Sequence, residues 1–183
     1  MTTELVVLLD EDGNAIGTAD KTVVHGTDTP LHLAFSCYVL APDGAMLVTR
    51  RALTKATWPG VWTNAFCGHP RPGEAMADAV TRYGRHELGL ALDDVELAIP
   101  DFRYRATDAS GVVEHEVCPV YVATTTGLPD PHPDEVMDVR WVATDELGRA
   151  IVAAPWAFSP WMVAQVHRLA GLVDDAGLLA KAC

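Results

Sequence analysis

The sequence lacks any uninterrupted apolar run approaching the roughly 18 to 20 residues of a membrane-spanning helix. Its beginning, "MTTELVVLLDEDG", is acidic where a secretory signal peptide is basic. The four cysteines form no CxxC pair, and they are Cys37, Cys67, Cys118 and Cys183. A chain of this size does not need disulfides to fold. We therefore expect a cytoplasmic protein with reduced thiols and no membrane partner.

Positive charge is also scarce, with 13 Lys and Arg against 25 Asp and Glu and a net charge of −12. Sequence-independent nucleic-acid binding needs a basic surface, so we expect no nucleic-acid partner. Residues 50–105 nevertheless hold eight of the 13 cations against seven acids. This window is a candidate for binding a small anion, unless its cations simply alternate with acids on solvated faces.

The 183 residues, 49% of them hydrophobic, predict one domain over residues 1–183. Strand-like segments outnumber helical ones, and they are "ELVVLLD", "LHLAFSCYVL", "AMLVTRR", "AIPDFRYRA", "VVEHEVCPVYVA" and "DVRWVA". Helices are predicted from Glu74 to Leu88, from about Thr144, and from Ser159 to about Gly171. This pattern favours a mixed sheet with helices packed on it, followed by a loosely ordered tail beyond about residue 170.

Glu87 is the first residue that points to chemistry. On a helical wheel it falls in the apolar sector formed by Met76, Val80 and Tyr83. A bare carboxylate there would cost several kcal/mol, so the site should hold a cation, a hydrogen-bonding partner or water. The alternative is that the helix end frays and exposes Glu87.

Two further carboxylates lie on one strand. Alternation sends Glu114 and Glu116 to the face that also carries Cys118. Two carboxylates about 7 Å apart repel each other unless a metal or a shared proton lies between them, so this pair is a candidate set of metal ligands. The alternative is a strand end that dips into water.

Three histidines could complete a metal site, namely His25, His32 and His69. Imidazoles with carboxylates suit a divalent first-row transition metal, whereas magnesium prefers oxygen ligands, so two different metal sites are conceivable. Trp161 is a candidate for stabilising a cation, although most tryptophans serve packing.

The chain resembles a known family in the order and amino-acid sequence of its motifs. They are "LHLAFS", "MLVTRRALTK", "WPGVWTN", "CGHP", "DFRYRATD", "EHEVCPV", "DEVMD" and "APWAFSPWM". This pattern, over roughly residues 4 to 168, is similar to that of the type 1 isopentenyl-diphosphate isomerases, a catalytic offshoot of the Nudix fold. The resemblance implies a single α/β domain, more narrowly α+β, with a Nudix-like mixed β-sheet sandwiched by helices.

The Nudix box that binds metals in the hydrolases is only partly present. The matching positions are Gly68, Glu74, Arg82, Glu87, Gly89 and Leu90. Tyr83 and His86 stand where the box has glutamates, and Gly84 replaces a bulky aliphatic residue. Because the hydrolases use those carboxylates to hold the metals that activate water, these departures argue against pyrophosphate hydrolysis.

The resemblance implies roles for individual residues. One divalent metal, Mn²⁺ or Zn²⁺, is expected at His25, His32, His69, Glu114 and Glu116. Glu87, with the carbonyl of Cys67, would help to hold Mg²⁺ on the substrate diphosphate, and Lys21, Arg51 and Lys55 would meet phosphate oxygens. Cys67 and Glu116 would be the catalytic pair, with Tyr104 supporting Glu116 and Trp161 facing the hydrocarbon. Some relatives carry Arg at position 83, and Tyr83 offers no charge.

The implied reaction moves the double bond of isopentenyl diphosphate from C3=C4 to C2=C3. We hypothesise that Glu116 delivers a proton to C4 and that the Cys67 thiolate removes one from C2, with the roles exchanged in reverse. Trp161 would stabilise the intervening tertiary carbocation. The alternatives are a Nudix-type diphosphate hydrolase and a non-catalytic module that binds a diphosphate. We expect a monomer or a weak dimer.

Overall fold

The computed structural model describes residues 4–176, with side chains as far as residue 169. Within this part the strands are β1 (Leu5–Leu9), β2 (Ala15–Asp20), β3 (His32–Leu33), β4 (Phe35–Leu40), β5 (Met46–Arg51), β6 (Trp62–Thr63), β7 (Phe66–Gly68), β8 (Asp93–Ile99), β9 (Arg103–Thr107), β10 (Val113–Val117), β11 (Val120–Thr124) and β12 (Val136–Val142). The helices are α1 (Met76–Leu88), α2 (Thr144–Ala153) and α3 (Pro160–Ala176), with a 3-10 turn at Pro155–Ala157.

The strands form two sheets. One has the order β2-β1-β3-β10-β9, and the other has the order β12-β5-β4-β11-β8, with β6 beside β5 and β7 beside β4. Strands β3 and β10 pair in parallel, as do β4 and β11, while the other pairs are antiparallel. The mixed α+β class predicted from the sequence is confirmed, although the strands divide between two sheets.

Three segments predicted as continuous strands are broken where the chain passes from one sheet to the other. The first breaks at Ala34, between β3 and β4, and the second at Pro119, between β10 and β11. The two breaks lie side by side, because Ala34 N donates to Val117 O and Ser36 N donates to Pro119 O. Proline cannot donate a ladder hydrogen bond, which favours the break. The third segment breaks between β8 and β9, after Pro100.

The larger sheet is covered by helices on both faces. All six residues of β4 are buried. Phe35, Cys37 and Val39 alternate toward helix α1, while Tyr38 and Leu40 pack with residues of α2 and α3. Alternation along a strand sends successive side chains to opposite faces, so this pattern requires a layer on each side. The predicted covering of the sheet by helices is confirmed.

The helix ends agree with the sequence except in detail. Helix α1 stops at Gly89, which has a left-handed φ of 64° that glycine adopts without strain. Ser159 does not use its hydroxyl as a cap, since that hydroxyl lies 2.7 Å from the Thr63 hydroxyl. Helix α3 runs to Ala176, beyond the predicted end at Gly171.

Two expectations about the whole chain remain open. The loose tail predicted beyond about residue 170 falls in large part on residues 177–183, which lie outside the described residues. That residues 1–183 form a single domain stays a prediction. Over residues 4–176, no helix is long and apolar enough to cross a membrane.

Candidate active site

A cavity of about 340 Å³ opens between the two sheets and contains nearly all of the predicted site residues. Cys67 reaches it from β7 of the larger sheet, whereas Glu116 and Tyr104 reach it from β10 and β9 of the smaller one. The other predicted residues on its wall are Lys21, His25, Arg51, Lys55, His69, Glu87, Glu114 and Trp161. His32 lies behind this wall and is fully buried.

Four of the five predicted ligands of the first metal form a tight cluster. One donor atom each from His25, His32, His69 and Glu116 lies within 4.8 Å of the other three. Glu116 Oε1 is 3.9 Å from His25 Nε2, 3.4 Å from His32 Nε2 and 3.3 Å from His69 Nε2. Nitrogen and carboxylate oxygen donors that converge in this way suit a divalent transition metal.

The state of the imidazoles also fits a metal. His32 Nδ1 lies 2.9 Å from Pro30 O, an acceptor, so this nitrogen carries a proton and Nε2 is the atom that faces the cluster. Against the opposing effect of burial, Glu116 raises the pKa of His32, and a metal at Nε2 would displace any proton there. His32 Nε2 faces His69 Nε2 at 3.2 Å. Burial lowers the pKa of His69 to about 4, so its ring is neutral near pH 7. His25 Nε2 is buried with no hydrogen-bond partner among the described residues. The residues present therefore fit the metal.

Glu114 lies beside this cluster but outside it. Its carboxylate accepts hydrogen bonds from the Thr57 hydroxyl and from the Tyr104 hydroxyl, the latter at 2.5 Å. Burial, followed by the charge of Glu116, raises the pKa of Glu114. Its role as a metal ligand stays a prediction.

Glu116 is held as a carboxylate. Burial alone would raise its pKa, but the three imidazoles that surround Oε1, those of His25, His32 and His69, outweigh burial and lower the pKa well below its usual range. Its second oxygen accepts a hydrogen bond from Tyr104 at 3.0 Å. Because burial and the two glutamates raise the pKa of Tyr104, the phenol keeps its proton and remains a donor.

Cys67 is a half-buried thiol with two polar neighbours. Its sulfur lies 3.3 Å from Ser36 Oγ and 3.4 Å from Asn64 Nδ2. Burial raises the pKa of Cys67 to about 12, against the lowering effect of these two contacts. The group therefore rests as a thiol.

Trp161 forms an aromatic wall of the cavity. Its ring is 1% exposed, and its indole N–H donates to Asn64 Oδ1 at 3.0 Å. The ring centroids of Trp58 and Tyr104 lie 5.4 and 5.8 Å away. The indole is thus fixed in orientation by packing on two sides and by one hydrogen bond.

The cationic side of the cavity contains Lys21, Arg51 and Lys55. Lys21 Nζ lies 3.0 Å from the Tyr83 hydroxyl, Arg51 donates to Thr57 O at 2.8 Å, and Lys55 pairs with Glu135. From the cation-rich window of residues 50–105, only Arg51 and Lys55 line the cavity. Others pair with acids elsewhere, as Arg82 does with Glu74. The cationic side of the cavity therefore combines two cations from that window with Lys21 from outside it.

Glu87 faces this cationic side from helix α1. It is 6% exposed, as its place in the apolar sector predicts, and it lines the cavity. Burial raises the pKa of Glu87 to about 7, although Lys55, Arg51 and Lys21 oppose the shift. No side chain in residues 4–169 hydrogen-bonds this carboxylate, which suits an oxygen ligand for magnesium.

Several residues of the site were missed from the sequence. Ser36 and Asn64 contact the Cys67 sulfur, Thr57 binds Glu114, and Glu135 pairs with Lys55. All four residues lie inside or beside the motifs quoted above. Three of them are uncharged, and nothing in the sequence around Glu135 indicates that it pairs with Lys55. Ser36, Thr57 and Glu135 are 31 to 80 positions from their partners in the sequence, and Asn64 is three positions from Cys67, so no helix or strand periodicity relates them.

Comparison with known proteins places the chain in a family. The NUDIX domain model matches residues 30–162. A protein from Agromyces mediolanus named isopentenyl-diphosphate Delta-isomerase is 66% identical over 166 residues, which cover 91% of this chain and 81% of that protein. The protein of the same name from Clavibacter sepedonicus is 57% identical over 185 residues, 97% of each chain. This chain belongs to the isopentenyl-diphosphate Delta-isomerases of the NUDIX family.

Solved structures support the fold of this isomerase-family chain. DR0079 from Deinococcus radiodurans superposes with a TM-score of 0.70 at 19% identity, covering 91% of this chain and 99% of that one. A MutT NUDIX hydrolase from Burkholderia pseudomallei gives a TM-score of 0.58 at 26% identity, with 75% and 96% coverage.

Of the three altered Nudix-box positions in this family member, only Tyr83 lies on the cavity wall. Tyr83 is packed in the core with Phe35 at 5.4 Å between ring centroids. A Cβ on Gly84 would come within 2.8 Å of Leu92, so this position faces the core, and His86 is exposed. Glu87 is the carboxylate that α1 presents to the cavity.

Proposed function

We propose that this chain interconverts isopentenyl diphosphate and dimethylallyl diphosphate and that it serves isoprenoid biosynthesis. Its relatives carry the name isopentenyl-diphosphate Delta-isomerase. The observation that carries the proposal is that a thiol and a carboxylate, Cys67 and Glu116, line one cavity from two different sheets. An indole ring and three cations line the same cavity. Neither a hydrolase nor a binding module requires this combination.

The reaction needs one proton delivered to C4 and one removed from C2. An unactivated alkene is a very weak base, so the acid and the base must be positioned before the reaction begins. Cys67 and Glu116 are the proposed pair, and Tyr104 hydrogen-bonds Glu116. One member protonates the substrate while the other accepts a proton, and their roles exchange in the reverse direction.

Each turnover inverts the protonation of this pair. The sequence-based hypothesis begins with the proton on Glu116, whereas burial and the histidines place the resting proton on the Cys67 sulfur. Whichever form receives isopentenyl diphosphate, the carrier that gained a proton must lose one and the other carrier must regain one before the next turnover. Exchange of these protons with solvent brings solvent hydrogen into the product.

Trp161 is the residue proposed to stabilise the carbocation intermediate. Protonation at C4 leaves a tertiary carbocation at C3, which water would capture. A desolvated indole face attracts such a cation by about 2 kcal/mol, and Tyr104 and Trp58 keep the Trp161 ring in place. The cavity of about 340 Å³ is small enough for the five-carbon chain to displace water from this wall.

The diphosphate occupies the cationic side of the cavity. Lys21, Arg51 and Lys55 would contact its oxygens, and Glu87 with the Cys67 carbonyl would hold Mg²⁺. Magnesium there would neutralise the diphosphate charge beside the buried Glu87 carboxylate. His25, His32, His69 and Glu116, with Glu114 beside them, would hold the second metal, Mn²⁺ or Zn²⁺, which would polarise Glu116.

Incubation with isopentenyl diphosphate in deuterated water, with and without chelator, tests the proposal. Dimethylallyl diphosphate that carries deuterium only when metal is present is the expected result. Cys67→Ala should abolish this incorporation, while Cys37→Ala, at a buried thiol on the opposite face of β4, is the matched control and should not. Release of phosphate without isomerised product would instead identify a hydrolase.

The remaining expectations about the protein's setting are part of the same proposal. We propose that it acts in the cytoplasm as a monomer or weak dimer, on a small isoprenoid diphosphate, without nucleic-acid or membrane partners. Size-exclusion chromatography with light scattering tests the oligomeric state.

A further inference from the structure

Three fully buried polar side chains lie behind Cys67 and have no part in the chemistry described so far. They are Ser36 and Tyr38 on β4 and Gln165 on α3, each 0% exposed. Tyr38 OH donates to Gln165 Oε1 at 2.9 Å, and Gln165 Nε2 donates to Ser36 Oγ at 2.9 Å. Ser36 Oγ then lies 3.3 Å from Cys67 Sγ. Buried polar groups are retained only where their hydrogen bonds are satisfied.

The hydroxyl of Ser36 has just enough capacity for its neighbours. It can donate one hydrogen bond and accept two. Gln165 uses one acceptor position, and the buried thiol of Cys118, 3.4 Å away, can donate into the other. The single O–H of Ser36 is then left for the Cys67 sulfur.

Asn64, the other polar neighbour of Cys67, is committed elsewhere. Its Nδ2 donates to Phe66 O at 2.7 Å and to Cys37 O at 3.0 Å, which uses both of its hydrogens. Its Oδ1 accepts from the Thr63 hydroxyl and from Trp161 Nε1. The contact between Asn64 Nδ2 and Cys67 Sγ, at 3.4 Å, therefore competes with shorter bonds. Ser36 is the partner whose donor is free for the sulfur.

We propose that Ser36 is a positioning residue for the Cys67 sulfur and that Gln165 and Tyr38 hold Ser36 in turn, so that one buried chain of hydrogen bonds links helix α3 to the reacting thiol. The inference rests on the proposed role of Cys67. A half-buried sulfur on a three-residue strand can rotate about its χ1 angle, and a misplaced proton carrier slows the reaction steeply. A hydroxyl suits this place because it can donate to a thiolate and accept from a thiol.

The test compares Ser36→Ala and Gln165→Leu with the wild-type protein. Loss of one hydrogen bond to an ionisable group lowers kcat by about 10- to 100-fold, and because Ser36 does not touch the diphosphate, KM should stay within about twofold. The matched control is Thr125→Val, which removes a buried hydroxyl that bonds Ala91 O at 2.7 Å on another part of the fold. It should keep kcat while losing comparable thermal stability.

The double variant separates positioning from general loss of structure. If Ser36 and Gln165 act as one chain, Ser36→Ala with Gln165→Leu is no slower than Ser36→Ala alone within about twofold. Multiplied losses of kcat would overturn the chain, as would an unchanged kcat for Ser36→Ala. A wild-type protein that fails to isomerise refutes the proposed function, and this inference with it. Normal wild-type turnover with unaffected variants refutes the inference alone.

Discussion

Replacing Glu87 with glutamine should stabilise the metal-free protein above neutral pH while removing its proposed magnesium ligand. Burial raises the pKa of this carboxyl from an ordinary 4.5 to about 7. The folded protein therefore holds the proton more tightly than the unfolded chain does. The contribution of Glu87 to stability is fully present below pH 4.5, declines as the pH rises toward 7, and is lost above pH 7.

The size of the effect follows from the same values. One pKa unit corresponds to about 1.4 kcal/mol. The rise in the pKa of Glu87 from 4.5 to about 7 therefore lowers the free energy of unfolding at pH 8, where Glu87 is ionised, by about 3 kcal/mol relative to a protein in which this side chain is uncharged. Glu87→Gln is uncharged at every pH and avoids this cost. For a domain of this size, about 3 kcal/mol corresponds to roughly 10 °C in Tm.

Thermal and urea unfolding in EDTA, at pH 4.5 and pH 8, measure the prediction. The variant should match the wild-type protein at pH 4.5 and exceed it by about 3 kcal/mol at pH 8. Glu74→Gln is the control, because the guanidinium of Arg82 beside Glu74 lowers the pKa of that carboxyl, and its loss should destabilise the protein at pH 8. A Glu87→Gln variant that is less stable at pH 8, or unchanged there, would refute the claim that this carboxylate is kept for a ligand at a cost in stability.

Three further substitutions probe the same site. Tyr104→Phe removes the donor shared by Glu114 and Glu116 and should lower kcat by about 10- to 100-fold at nearly constant Tm, which steady-state kinetics and calorimetry can check. His32→Gln should lower metal affinity by at least about 100-fold, measured by competition with a fluorescent chelator, and unaltered affinity would place the metal elsewhere. Gly68→Ala would put a Cβ 2.6 Å from the Tyr83 ring, between Cys67 and His69. It should destabilise the fold by about 1–3 kcal/mol and reduce kcat, whereas Gly17→Ala, in open space, should do neither.

Features that depend on short sequence periodicities could be predicted from the sequence. Helical spacing put Glu87 among buried residues, and it is 6% exposed. Strand alternation put Glu114 and Glu116 on one face, and both carboxylates bond Tyr104. Gly89 marked the end of α1 because few other residues adopt its backbone conformation. In each case a local geometric rule relates neighbours in the chain.

Contacts between distant segments were beyond such rules. Ser36 and Gln165 are 129 residues apart, and neither has a charge or a spacing that would mark it. Lys21 lies outside the cation-rich window, so the charge count did not indicate it. The family resemblance alone predicted that it would meet phosphate oxygens. The pairing of Lys55 with Glu135 across 80 residues likewise depends on how the loop before β12 packs.

The strand breaks explain how the two proposed proton carriers line one cavity from two different sheets. A single continuous sheet would place Cys67 and Glu116 in one layer, where neighbouring strands lie about 4.8 Å apart and leave no room for substrate between them. The breaks at Ala34 and Pro119 lie side by side and send β3 and β10 into one sheet and β4 and β11 into the other. Since β7 pairs with β4 and carries Cys67, the sulfur belongs to the larger sheet, while Glu116 belongs to the smaller one. The parallel register continues through both breaks, since Glu116 pairs with His32 and Val120 pairs with Ser36. The breaks therefore open the cavity without disturbing the pairing that sets His32 beside Glu116 in the metal cluster.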